Sequence, residues 1–315
     1  MPENYNFITN GEYQLYVRRI QPVLPSKKVC LLFNSRSLCV ESSMGISMGS
    51  ISYGDYLASR GIETFLIDLR GYGKSTSFQE QIFEDHTQIT NPLTRQDFRS
   101  DIVAGINYVK NLLGNDVDIT LMGFSMLGPI IIEVAKLHPD DVQKIILLNS
   151  FGPKYPNDPP SGSKFFTPYK SDKHYSTVSL NDIKDRLESA QPIGKNFIEP
   201  LWFKEAGDRL IEFHKTFNHN TNSWKLFLGL KWNWGDMSPG AKSIKADALF
   251  ISGQYDIENP LFVSERLYNN ILTKRKFLRI LPDATHLCIW EKSRHIMYAW
   301  SADFIHGLEP EQCAL

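Results

Sequence analysis

A serine hydroxyl becomes a usable nucleophile when a sharp turn lifts it clear of a sheet and backbone amides converge on whatever it attacks. The run Ile119 to Gly128, Ile-Thr-Leu-Met-Gly-Phe-Ser-Met-Leu-Gly, has the makings of such a turn: an apolar, strand-like stretch breaks at Gly123, a helical pattern follows at once, and Ser125 sits in the break. A serine that merely caps the helix is the competing reading, since serine is a favoured cap. A literal Gly-x-Ser-x-Gly lies elsewhere, at Gly45 to Gly49. There Ser47 stands well past its preceding strand, among serines and glycines, where nothing would hold its hydroxyl at a sheet edge. The stretch at Ser125 departs from that spacing in its own way. Leu127 occupies the place of the second small residue and Gly128 comes one position late, so the turn is expected to open slightly or to need small neighbours.

Such a turn needs a sheet behind it. Tyr5 to Ile8 and Tyr13 to Ile20 flank Asn10-Gly11, a hairpin signal, and Lys28 to Phe33 then reads as a strand buried on both faces. Helix and strand alternate from there: Ile51 to Arg60 helical, Thr64 to Asp68 a strand, Arg99 to Leu113 helical, Val117 to Met122 a strand, Leu127 to Leu137 helical, Val142 to Leu148 a strand. This order predicts an α/β fold with a mostly parallel, doubly wound sheet. The pattern is lost after Phe151 in a run of prolines, and the polar, tryptophan-rich stretch that follows reads as an inserted, mainly helical cap. Ala246 to Gly253 and Lys276 to Leu281 restore the sheet, and Arg294 to Gly307 closes it as an amphipathic helix. The expected organisation is therefore a core over 1–152, a cap over 153–240 and the rest of the core over 241–315.

Composition narrows the partners. Residues total 315 with 42% hydrophobic, enough for a large core, and 34 basic against 35 acidic residues give a net charge of -1 with no basic footprint for nucleic acid. No apolar run reaches the roughly 18 residues needed to span a bilayer, so membrane insertion is not expected. The opening residues carry no charged-then-apolar segment, and a cytoplasmic location is expected. Cys30, Cys39, Cys288 and Cys313 share no metal-ligand spacing and are expected as reduced thiols. His214 and His219 miss a common helical face, which makes a zinc site there weak. Small molecules are the expected partners, and the sequence permits a homodimer without demanding one.

Asp68-Leu-Arg-Gly-Tyr-Gly-Lys-Ser75 is, on its own, a glycine-bearing corner after a strand. Together with Gly123-Phe-Ser-Met126 it resembles the α/β-hydrolase-fold family, in which these stretches are the loop after the fourth strand and the nucleophile elbow. The resemblance covers most of residues 28 to 150 and 243 to 307. It implies a serine, acid, histidine order along the chain. Asp256 follows the strand Leu249 to Ser252 directly and resembles the family's acid, with Glu258 as the fallback; Asn149-Ser150 supplies no carboxylate at the alternative acid position. Of eight histidines, His286 lies in the loop where the family delivers its imidazole, with Trp290 and Glu291 just beyond also matching. For the oxyanion the resemblance implies the Met126 amide and a second amide from the loop after Val29 to Phe33. Many relatives carry His-Gly there, whereas this chain has Asn34-Ser35-Arg36, so Arg36 N–H is the positional donor. Its side chain either meets an anionic part of the substrate or points to solvent.

The resemblance thus implies a serine-dependent hydrolase cleaving an ester, thioester or related acyl bond of a fairly apolar small molecule, with no metal or organic cofactor. The departures at Leu127 and Asn34-Ser35 leave open the same fold doing carbon–carbon cleavage, cyclisation, acyl transfer or elimination, and also a ligand-binding protein without catalysis. Met44 and Met48 could line a flexible apolar pocket. Cys288, near His286, reads as packing.

Overall fold

The computed structural model describes residues 5–33, 38–77, 94–152, 158, 175–227 and 243–312. Gly11, at φ +63°, turns the chain between β1 (Tyr5–Asn10) and β2 (Tyr13–Ile20), which pair antiparallel with Asn10 opposite Tyr13. Then follow β3 (Lys28–Phe33), α1 (Val40–Ser43), α2 (Tyr53–Ser59), β4 (Glu63–Ile67), α3 (Arg95–Leu113), β5 (Asp118–Phe124), α4 (Leu127–Leu137) and β6 (Lys144–Leu148). Beyond them come β7 (Tyr175–Ser179), α5 (Leu180–Ser189), α6 (Trp202–Phe213), β8 (Ser223–Phe227), β9 (Asp247–Gly253), α7 (Leu261–Asn270), β10 (Lys276–Leu281) and α8 (Arg294–Ile305). Among the described residues, eight strands form one sheet in the order β1-β2-β4-β3-β5-β6-β9-β10, parallel from β4 to β10 and antiparallel at the β1 and β2 edge.

The period-2 alternation of side chains divides the core between the two faces. Val29, Leu31 and Phe33 of β3 pack with α3, α4 and α7, while Cys30 and Leu32 pack with α2 and α8. Both sets are fully buried, which is why β3 reads as a continuous apolar run rather than an alternating one. Truncating Leu31 to alanine would cost about 2 to 5 kcal/mol. Helix α3 begins a turn earlier than its apolar periodicity suggests, because Thr94 and Asp97 close a reciprocal capping box ahead of it. Strand β5 runs on to Phe124, so it delivers the chain directly to Ser125.

The segment expected as a mainly helical cap is more mixed. Helices α5 and α6 lie between two strands, β7 and β8, that pair antiparallel with Val178 opposite Trp224. The segment is tied to the sheet's carboxyl edge: Lys215 N–H donates to Gly73 O (3.0 Å), Met48 N–H to Glu205 Oε2 (2.7 Å), and Trp202 stacks on Trp290 at 4.8 Å. Trp202, Phe213 and Trp224 are buried in this packing, as are Met44 and Met48. The expected junctions near 153 and 240, the proline run from 153, Trp232, Trp234 and Cys313 lie outside the described residues. Among the described residues no helix is long and apolar enough to cross a membrane.

Candidate active site

Ser125 opens the two-residue corner between β5 and α4 with φ +56°, a left-handed conformation that costs a non-glycine residue roughly 1 to 2 kcal/mol. The corner is held from both sides. Ser125 N–H donates to Leu148 O (2.8 Å), and Ser125 O accepts from Phe151 N (3.0 Å) and Gly128 N (3.2 Å). Leu127 does not crowd it: its side chain is fully buried in the core with Ile130 and Ile131. The small neighbours are Gly123 and Gly128. A Cβ at 123 would lie 3.2 Å from the Leu127 carbonyl carbon and foul Ile131, and one at 128 would fall 1.8 Å from Ser150 Oγ and 2.7 Å from Ser150 Cβ. The close approach usually expected at 127 is thus made one residue later, against the end of β6.

Asp256 and His286 come to the same edge from the loops after β9 and β10. His286 Nε2 lies 3.0 Å from Ser125 Oγ and Nδ1 lies 2.8 Å from Asp256 Oδ2. With Nδ1–H donated to the carboxylate, Nε2 is left to accept the serine proton. All three residues are buried. Asp256 Oδ1 accepts from Glu258 N (2.9 Å) and Asn259 N (2.8 Å), which fixes the carboxylate while Oδ2 faces the imidazole. Burial by itself would lower the affinity of His286 for a proton, but the Asp256 and Glu258 carboxylates hold it above its ordinary value.

The histidine loop is positioned by two residues, Asn149, whose part the residue pattern does not reveal, and Glu291, which the resemblance flagged without a role. Asn149, at φ +43° just past β6, donates Nδ2 to Thr285 O (3.0 Å) and His286 O (2.8 Å), and its Oδ1 accepts from Gly253 N (2.7 Å). Glu291, fully buried, accepts from Thr285 N and Thr285 Oγ1, both at 2.7 Å. An asparagine ending a buried strand hints at a left-handed residue. Nothing in its neighbours shows that it binds a loop more than a hundred positions away.

The corner Asp68 to Ser75 holds the far side of the edge. Asp68 Oδ1 accepts from Val40 N (2.8 Å), anchoring the end of the loop after β3, and Gly73, at φ +53°, leaves room for that carboxylate. Burial, ahead of the nearby Glu41 charge, pushes Asp68 up to about 8. Arg70 turns the other way, onto Asp101 and Asp97 of α3.

The remaining candidates are elsewhere. Ser47 faces Glu205 of α6 at 3.5 Å, away from the imidazole. Cys288 is fully buried, with its thiol pushed well up by desolvation and then by the Glu291 and Asp256 charges. His138, His295 and His306 contact Asp141, Ser50 and Arg60 respectively, and His214 is buried beside Trp224. Among the described residues no group of histidine, cysteine and carboxylate side chains gathers that could hold a metal ion. Met126 begins the helical turn after Ser125. Asn34, Ser35 and Arg36 lie outside the described residues.

Residues 44–178 match the family model described as alpha/beta hydrolase fold. No curated protein matches the sequence. Solved structures do match over nearly the whole chain. A serine hydrolase from the polyaromatic-hydrocarbon-degrading bacterium Cycloclasticus zankles is 14% identical over 96% of this chain and 98% of that one, with a TM-score of 0.61. The 2-hydroxy-6-oxo-6-phenylhexa-2,4-dienoate hydrolase of Rhodococcus sp. strain RHA1 is 18% identical over 95% and 98%, with a TM-score of 0.66. A monoacylglycerol lipase from Paleococcus ferrophilus is 18% identical over 93% and 98%, with a TM-score of 0.60. At these identities the likeness is one of fold.

Proposed function

We propose, from the premise that this chain is an α/β-hydrolase-fold protein, that it is a serine hydrolase cleaving an ester, thioester or related acyl bond of a fairly apolar small molecule. The observation that carries the proposal is the unbroken hydrogen-bonded chain Ser125 Oγ, His286 Nε2, His286 Nδ1 and Asp256 Oδ2, at 3.0 and 2.8 Å, around a serine held in a left-handed corner. A helix cap alone needs neither the imidazole nor the Asp256 carboxylate.

In the proposed reaction Ser125 Oγ attacks the acyl carbon while His286 Nε2 takes the hydroxyl proton. Asp256 stabilises the resulting imidazolium, and the Met126 and Arg36 amides receive the negative oxygen. Collapse of the tetrahedral intermediate breaks the bond to the leaving group, which takes the proton from Nε2 and departs. Water, deprotonated by the same nitrogen, then attacks the acyl-serine and releases the acid, with the proton returned to Oγ.

Turnover of short nitrophenyl esters tests this. The wild type should hydrolyse them, and S125A and H286A should each lose about three orders of magnitude or more. Ester hydrolysis that persists in S125A would refute the proposal. Inertness to all esters in a chain whose serine still reacts with an organophosphorus probe would redirect it to the other chemistries of this fold.

A further inference from the structure

Glu258 is a second carboxylate at the imidazole, and no step of the reaction above uses it. Its Oε2 lies 3.6 Å from His286 Nε2, the nitrogen that exchanges protons with Ser125, whereas Asp256 faces the opposite nitrogen. Glu258 is itself buried, at 1% exposure, and is gripped in a two-pronged ion pair by Arg186 of α5, whose Nε donates to Glu258 Oε1 at 2.6 Å while Nη2 pairs with Oε2. Helix α5 belongs to the segment between β6 and β9, so an element outside the sheet reaches the catalytic edge through one guanidinium.

We propose that Glu258 and Arg186 are positioning residues that set the basicity of His286, Glu258 by facing Nε2, the nitrogen that receives the serine proton, and Arg186 by offsetting that charge from α5, so that the strength of the base depends on where α5 is seated. The inference rests on His286 being the base of the proposed hydrolase.

The physical basis is simple. A carboxylate within about 4 to 6 Å of an imidazole favours its protonated form by about one pH unit or more, and a cation beside that carboxylate cancels part of the effect. The imidazole faces Asp256 and Glu258 from the loop after β9, Arg186 from α5, and Ser125 with the neutral Phe124 ring from the elbow. On its own loop as far as Glu291, the titratable groups are Asp283, which is exposed, and the buried Cys288 and Glu291; Glu291 is turned to Thr285 and Gln191. Among the described residues, Glu258 is thus the carboxylate beside Asp256 whose charge acts on the ring. Its position at Nε2 also means that its influence is felt at the proton being transferred.

The test is a set of charge swaps read in two ways on the full chain: the His286 imidazole midpoint by proton–nitrogen NMR, and the acid limb of kcat/KM on a nitrophenyl ester. E258Q should move the midpoint down by about one pH unit, R186M should move it up by about half a unit, and the double variant should follow E258Q. R186K, which keeps the charge without the fork, should return at least half of the R186M shift. A midpoint unmoved by E258Q, or shifts of the same sign in E258Q and R186M, would overturn the inference and leave the pair as a brace for α5. If E258Q does not fold, the opposed R186M and R186K midpoints decide. The NMR titration stands even if the ester is never turned over, so failure here and failure of the proposed function are separable.

Discussion

Replacing Asn149 with alanine strips three buried partners at once: the Thr285 and His286 carbonyls lose Nδ2, and the Gly253 amide loses Oδ1. Each stranded group costs about 1 to 3 kcal/mol. Alanine at φ +43° adds roughly 1 kcal/mol that asparagine largely escapes. With the low end taken for each, N149A should lose about 4 kcal/mol, a large share of the roughly 5 to 15 kcal/mol that holds a domain folded. Glycine at 149 loses the same bonds without the backbone cost, so N149G should be about 1 kcal/mol more stable than N149A. Urea unfolding at unchanged slope measures both. Because the lost bonds tether the backbone of His286, kcat on an ester should fall about 10- to 100-fold with little change in KM. An N149A protein within 1 kcal/mol of wild type and with full kcat would refute the role given to Asn149. So would an N149G no more stable than N149A, for the backbone part.

Three further outcomes follow from the geometry. Because the carboxylates hold His286 above its ordinary value of 6.5 and the base must be neutral to act, kcat/KM should fall with decreasing pH through a midpoint above 6.5, as a pH profile would show. Asp68, pushed up to about 8, keeps a proton in the folded state that the unfolded carboxyl gives up near its ordinary value of 3.8. Stability should therefore decline between those pH values by at most about 1.4 kcal/mol per unit and then level off, and D68N should flatten that decline in urea titrations at several pH values. G128A forces a methyl against Ser150 and should cost about 2 kcal/mol, whereas S150G, which removes both nearby atoms, should restore at least half of it in the same assay.

The parallel sheet was legible because its strands are buried on both faces, which writes runs such as Val29 to Phe33 into the chain, and because short helices separate them. The β7 and β8 ladder was not: its strands stand on either side of both α5 and α6, so no tight-turn signal joins them. Strand-turn-helix context singled out Ser125 over Ser47. Asp256 and His286 needed the family resemblance, since nothing in local composition ranks one loop histidine over another. Leu127 pointed to a turn that must open or find small neighbours, and the second is what the structure has; the pattern alone could not show that Gly128 makes its close approach against Ser150. Glu258 was read only as the fallback acid; its grip by Arg186 and the tether made by Asn149 were illegible for one reason: each joins elements brought near only by the fold, and a single chain carries no trace of that contact.

The most direct test of a serine-based reaction is to treat the intact protein with a fluorophosphonate ester and locate the adduct by mass spectrometry. The expected result is one adduct, on Ser125, absent in S125A and formed at least about a hundredfold more slowly in H286A. An adduct on any other residue, Ser47 included, or none on a protein that hydrolyses esters, would contradict it.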